Sequence, residues 1–421
     1  MNTKVQGIRF MPAIIAIAAV GHGVIGCSPA HAQVIDAHEH SSALDNSLIK
    51  AVINSDIGEK KVTPIAFPFY SPTLEGAIGL GALTTFSTQE GNENLPRSTA
   101  QFTGMYSTLD AFALGSRIDS FWNNDNLRAF TIAAYSELPD NYAGVGWDNG
   151  NLIERGPNTT LFDGTAFRIN QRVMYRLGRS KWFAGLNYDL FYQDAQNVAP
   201  LMATDPDFLR YGSRYHDSGF GFILSRDTRD VTLDAREGSL FEIRSTHNRD
   251  WLGSDFEWDV YDFDIRHYRP FLRDGSTLAF LFQGRISSGD VPWASHTSVG
   301  SSRDLRGYHL GQYRDQVGVW GVVEYRHRFR LKGKKQSTVE IDPKNPAKNP
   351  LPGRQFSKGS MVTWVGLGYI GEDLGDLGGH PLPNAGLGYR FEIQDRRNIR
   401  ADYGFGRDGE SGFYLSFNQA F

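Results

Sequence analysis

The sequence predicts an all-β fold, a transmembrane antiparallel β-barrel of about sixteen strands, and three observations carry that expectation. Segments of about ten residues with alternating apolar and polar side chains recur from Leu74 to Phe421, bounded by turn residues. Period-two alternation is what a strand with one apolar face requires. Aromatic residues make up 13% of the chain and glycine occurs 46 times, which suits a sheet better than helices. Where charges fall within a segment they share the face opposite the apolar one, as a wet lumen and a lipid exterior demand.

Composition narrows the class further. Hydrophobic content is 40% and mean hydropathy is −0.38. Beyond the N-terminal stretch no apolar run reaches the roughly 20 residues of a membrane helix, so a helical membrane protein is excluded. A barrel is compatible, because lumen-facing residues dilute the lipid-facing ones. The 421 residues would otherwise allow two or three soluble domains. The net charge of −4 suggests no nucleic-acid partner. A lone cysteine, Cys27, excludes an internal disulfide framework.

The N-terminus reads as an export signal over residues 1–32. Lys4 and Arg9 precede an apolar stretch from Met11 to Ile25, followed by Ala30-His31-Ala32. Val24-Ile25-Gly26-Cys27 resembles a lipobox and offers lipidation of Cys27 as an alternative ending. Residues 33–60 form a short polar periplasmic segment. Its His38-Glu39-His40 resembles the first metal ligands of amidohydrolases, but those need an α/β barrel downstream, and helical periodicity is missing. No metal site or cofactor is therefore expected.

The barrel is expected over residues 61–421, with strands at 75–87, 97–108, 110–121, 127–137, 162–177, 182–194, 217–226, 238–249, 256–269, 276–288, 316–331, 360–371, 384–394, 397–406 and 411–421. That is fifteen, and bacterial barrels are even-numbered. The sixteenth belongs near 60–70 or inside 138–161. In 316–331, Val317, Val319, Val323, Tyr325, Phe329 and Leu331 oppose Glu324, Arg326, Arg328 and Arg330. In 276–288, Leu278, Phe280, Phe282 and Ile286 oppose Gln283 and Arg285, and in 397–406, Ile399, Ala401, Tyr403 and Phe405 oppose Arg400 and Asp402. A charge on the lipid side would cost roughly 2–4 kcal/mol at the midplane.

Loop lengths orient the barrel, since outer loops are long and inner turns short. Residues 138–161, 195–216, 289–315 and 372–383 read as outer loops, and 177–180 and 394–397 as inner turns. The inner connection Lys332 to Lys358 breaks the rule. It is long, basic and carries Pro343, Pro346, Pro350 and Pro352, so it reads as a connector or a periplasmic docking site. In the last segment Phe413, Leu415, Phe417 and Phe421 share a face. It resembles the closing strand of bacterial outer-membrane barrels, and the resemblance implies that Phe417 and Phe421 form an assembly signal read by the cell's barrel-assembly machinery.

Three further stretches resemble the superfamily of the BamA and TamA barrels, the bacterial surface antigens. Asp304-Leu305-Arg306-Gly307-Tyr308 is similar to the family's V-R-G-F/Y motif, with Leu305 in place of Val. Asp227-Thr228-Arg229-Asp230 with Arg236-Glu237-Gly238 resembles its D-T-R-D…R-x-G turn, and Gly386 to Phe391 feeds the final strands. The resemblance implies an outer-membrane location and an extracellular loop folded back into the lumen. Glu324 on the next strand is the expected partner of Arg306, because a buried arginine needs a carboxylate. The family also offers an F-x-D on the following strand. Here Trp364 matches the aromatic but Gly366 stands where the Asp would be, so the expectation is a weaker or differently built lock. The segment 33–60 is too short for one POTRA domain, which implies a barrel-only member.

The function implied is insertion or translocation of protein, or handling of lipid, at the seam between first and last strands, with outer-membrane lipid and a client protein as partners and no chemical step. A second reading is a passive pore lined by Arg285, Arg326, Arg328, Arg390 and Arg400 with Glu324, Glu392 and Asp402. A third is a barrel phospholipase using His267 or His327, for which the sequence offers no evident paired serine.

Overall fold

The computed structural model describes residues 56–57, 60–71, 75–89, 91–92, 95–330, 356–394 and 396–421. The export signal, Cys27, the His38/His40 pair and nearly all of the proline-rich connection lie outside the described residues. Among the described residues one antiparallel sheet holds a two-residue strand, Asp56–Ile57, and sixteen longer ones, β1 (Lys60–Ser71), β2 (Glu75–Phe86), β3 (Ser98–Ser107), β4 (Phe112–Trp122), β5 (Leu127–Asn141), β6 (Leu161–Arg176), β7 (Trp182–Gln196), β8 (Arg214–Asp227), β9 (Gly238–Asn248), β10 (Trp258–Pro270), β11 (Ser276–Gly289), β12 (Val317–Arg330), β13 (Phe356–Gly371), β14 (Leu382–Gln394), β15 (Arg397–Phe405) and β16 (Ser411–Phe417). Each strand pairs with the next in sequence. The extra strand is the one at 60–71; the 138–161 stretch instead ends β5 and carries a short helix, α1 (Trp147–Leu152).

The alternation read from the sequence sets the two faces. On β8, Phe220, Phe222 and Leu224 are exposed while Ile223, Ser225 and Asp227 on the opposite parity are buried. On β14, Leu387, Tyr389 and Phe391 point out while Arg390 is fully buried. These outward side chains are the lipid-facing band of a barrel.

The last strand differs from its expectation. It ends at Phe417, and Asn418 takes a left-handed turn (φ 62°) that sends 418–421 inward. Phe421 is buried inside, near Tyr268 and against the Arg326 guanidinium 5.0 Å from its ring centre. Ser416 and Asn418 mark the reason: two polar residues at the end of the apolar alternation, followed by Gln419, which finds partners only in the lumen. Its Oε1 accepts from Arg390 Nε at 2.9 Å and its Nε2 donates to Asp234 Oδ1 at 3.0 Å.

The outer end is capped. Three loops and the outer ends of β6 and β8 converge on Trp293, whose ring meets Tyr142, Phe162, Phe208 and Tyr215 with centroids 5.1–6.2 Å apart. Phe208 is carried by α2 (Pro206–Tyr211), which Asp205 caps by accepting from the Phe208 N–H at 2.9 Å. Trp293 Nε1 donates to the Gly212 carbonyl at 3.0 Å, so the buried indole is satisfied.

Candidate functional site

The long outer loop between β11 and β12, residues 290–316, folds back into the lumen and docks on the inner faces of β12 to β16. A row of facing residues explains where. Glu324, Trp364, Gly386, Gly404 and Gly412 are cross-strand neighbours on five successive strands. The first two present an acid and an aromatic ring; the glycines leave a trough. A Cβ on Gly404 would stand 2.4 Å from the Arg306 carbonyl oxygen, and one on Gly386 would stand 2.2 Å from the Trp364 ring. The loop backbone lies where side chains would otherwise be.

Arg306 sits in that trough with no solvent exposure. Its Nη2 bonds Glu324, its Nη1 donates to Asp402 Oδ2 at 2.8 Å, and its guanidinium lies 3.6 Å from the Trp364 ring centre. The charge is thus held by two carboxylates and a π face. Gly307 adopts φ 126°, a conformation that favours glycine, and its backbone presses on Phe405 and Gly406. Tyr308 is fully buried; its hydroxyl donates to the Pro383 carbonyl at 2.5 Å and accepts from the Arg407 N–H at 3.1 Å. Tyr414 on β16 closes the far side, accepting from the Gly307 N–H and donating to the Tyr308 carbonyl, both at 3.0 Å. Leu305 packs with Val299, Tyr313, Ile370 and Leu382 in an apolar core inside the lumen. Asp304 stays within the loop, accepting from the Gly300 and Ser301 N–H groups at 2.9 and 2.7 Å.

The lock is built differently from the sequence-based expectation of Glu324 as chief partner. The carboxylate missing at Gly366 is supplied by Asp402, two strands further on. Gly366 is kept small because Asn384 lies over it: a Cβ there would stand 2.2 Å from the Asn384 Oδ1. Asn384 Nδ2 in turn donates to the Arg306 carbonyl at 3.0 Å. Asp402 also binds Arg390 and, at 3.1 Å, Arg400, while Glu324 accepts from Arg326 Nε at 2.9 Å. Gly388 makes room for Asp402, which gives the Gly386–Phe391 stretch its meaning. Asp402 was readable as a lumen acid, but no sequence signal tied it to Arg306. Five of the residues proposed above to line a pore are therefore occupied in the lock.

The D-T-R-D turn crosses the inner mouth. Asp227 accepts from Arg229 Nε at 2.9 Å and from Arg128 Nη1 of β5 at 2.8 Å. Asp230 accepts from the Arg236 N–H at 3.0 Å and from Arg396 Nη2 at 2.7 Å, and Arg396 belongs to the β14–β15 turn, six strands further round. Gly238 is needed to re-enter the wall: at φ 94°, a Cβ would fall 2.2 Å from the Thr228 carbonyl. Residues 228–237 thus form a strap anchored on both sides.

The lipid face holds two pairs that the sequence did not reveal. Ser239 Oγ lies 2.9 Å from His267 Nδ1, and Ser276 Oγ lies 2.8 Å from His327 Nδ1. Each is a facing pair in a ladder at an inner strand end. Among the described residues no acid or amide side chain bonds either imidazole, and both rings stack on aromatic neighbours, Phe280 and Tyr325. Among the described residues no group of three metal-binding side chains is found.

The Omp85 superfamily domain model matches residues 162–413. Among solved structures, BamA from Haemophilus ducreyi lacking POTRA domains 1–3 aligns with TM-score 0.50 at 10% identity, over 86% of this chain and 69% of that one. CdiB from Escherichia coli aligns with TM-score 0.51 at 12% identity, over 87% of this chain and 62% of that one. The chain thus spans less than two thirds of the CdiB chain, and likeness at this identity speaks for the fold. A comparison with curated protein sequences gives no match.

Proposed function

The chain belongs to the Omp85 superfamily of outer-membrane barrels, and from that premise we propose that it inserts or translocates protein at the seam between β1 and β16. The observation that carries this reading is a mismatch of lengths. β1 runs for 12 residues and β16 for 7, after which the chain turns into the lumen. β16 can face at most seven residues of β1, and the short strand Asp56–Ile57 pairs with Lys60 and Lys61, which leaves at least three residues of that edge uncovered; an uncovered strand edge is a template for another strand. The lumen itself is occupied by the loop and capped by the Trp293 cluster, which disfavours a passive pore. Among the described residues no acid or amide side chain orients either imidazole of the serine–histidine pairs, which disfavours lipid hydrolysis.

Quantitative proteomics of outer membranes with and without the gene tests this. Loss of several barrels, or of one exported protein, at unchanged synthesis supports it. Unchanged composition argues against it. A disulfide placed between β1 and β16 should reproduce the loss, and reduction should reverse it.

A further inference from the structure

Two prolines, Pro64 and Pro68, stand within β1, and the ladders on either side of the seam show which way they face. In an antiparallel ladder, successive residues turn their N–H and C=O groups alternately to one neighbour and the other. The Thr108 N–H donates to the Gly76 carbonyl at 2.7 Å, one step beyond the Ala77–Ser107 pair of β2 and β3. Gly76 therefore points at β3, and so does every second residue after it. Ala77, Gly79, Gly81, Leu83 and Thr85 point at β1, where they face Phe69, Phe67, Ile65, Thr63 and Lys61 without a register shift. Val62, Pro64, Ala66, Pro68 and Tyr70 are left turned toward β16. Lys60, the next in that row, is already paired with Ile57.

The same reasoning orients β16. The Gly406 N–H donates to the Glu410 carbonyl at 2.8 Å and the Asn418 N–H to the Asn398 carbonyl at 2.6 Å. Even-numbered residues of this strand therefore serve β15. Ser411, Phe413, Leu415 and Phe417 turn toward β1, each with a donor and an acceptor. Proline has no N–H. The β1 row thus carries donors at Val62, Ala66 and Tyr70 and gaps at Pro64 and Pro68, in strict alternation. In whatever register β16 lies along that row, at most two of its four carbonyls meet an N–H. Lipid supplies no other donor.

Resting on the seam as the working site, we propose that Pro64 and Pro68 are the residues that keep it from closing fully. Both point away from β2, so the wall behind the edge keeps its ladder. The carbonyls of the row remain acceptors, so a strand laid there, β16 or a client's, is held by alternate bonds and can leave. Valine at both positions would complete the row.

Hydrogen exchange of the full chain in lipid nanodiscs, read by mass spectrometry on peptides, tests this. In Pro64→Val with Pro68→Val, exchange over 411–417 should slow roughly tenfold or more as two further bonds form, with 75–86 as before. Ala66→Pro removes another donor from the row and should speed exchange over 411–417, again sparing 75–86. Unchanged exchange over 411–417 in the double variant overturns the proposal, as does loss of protection over 75–86 in Ala66→Pro. Outer-membrane proteomics of the double variant separates this device from the function it serves. Loss of clients together with slowed exchange supports both. Slowed exchange at unchanged client levels supports the prolines as the determinants of closure and removes protein insertion from the seam.

Discussion

Arg306 and Asp402 meet at 2.8 Å although 96 residues separate them, and neither side chain touches solvent. The pair fastens a loop from the outer side of the barrel to the third strand beyond its own. Removing one partner strands the other charge, at a cost of about 3–5 kcal/mol. Asp402→Asn should therefore lower the unfolding temperature in detergent, and Arg306→Ala should release the loop and raise single-channel conductance. A conductance unchanged in Arg306→Ala would show that the loop stays in place without this contact.

The position of the carboxylate should be transferable. Gly366→Asp with Asn384→Gly restores an acid on β13 and clears the space that Asn384 takes up. Added to Asp402→Asn, this pair should recover a substantial part of the lost stability. A triple variant no more stable than Asp402→Asn would show that Asp402 acts mainly through Arg390 and Arg400.

Steric expulsion gives an independent check that leaves every charge in place. Gly404→Ala puts a methyl group 2.4 Å from the Arg306 carbonyl oxygen. Neither backbone can yield cheaply, so the loop should leave its trough. Conductance should rise as in Arg306→Ala, with a destabilisation of about 1–3 kcal/mol.

Acid should loosen the loop through His309. Burial first, then Arg155, pushes its pKa down to about 3 from the ordinary 6.5. A depressed imidazole contributes stability that is complete above the unfolded value and is lost as pH falls through the folded one. The window therefore runs from 6.5 down to about 3. Unfolding temperature should fall more steeply over that range in the unaltered chain than in His309→Gln. Parallel profiles would remove His309 from the account.

The strap should yield to modest changes. Arg396 and Asp230 are partly exposed, so Arg396→Gln should cost only about 1 kcal/mol. A cysteine at Thr232 should nonetheless be alkylated several-fold faster from the inner side in that background. Equal rates would mean that the contacts through Asp227 hold the strap by themselves.

Much of this was legible in the sequence because period-two alternation reports a face directly. The strands, the inward Glu324 and Asp402, and the outward Phe413 all follow from counting by two. What counting cannot give is the partner across the lumen. Arg306 needed a second acid, and nothing local distinguished Asp402 from any other inward carboxylate. The inward turn at Asn418 escaped for the opposite reason: Phe421 continues the apolar pattern in register, and the lumen contacts of Gln419 and Arg326 draw the tail off the wall. The serine–histidine pairs were invisible because each joins facing residues 28 or 51 positions apart.

The strap has a mechanical consequence. By joining the β8–β9 turn to the β14–β15 turn it forms a chord across the inner mouth, and splaying the ring there would stretch or break the Asp230–Arg396 contact. β16 hangs just beyond one anchor, with Gln419 tied to Asp234 on the strap itself. Widening the wall at the β1–β16 edge therefore pulls on the floor, and letting go of the floor slackens the edge. Floor and edge are thus mechanically coupled through Asp234.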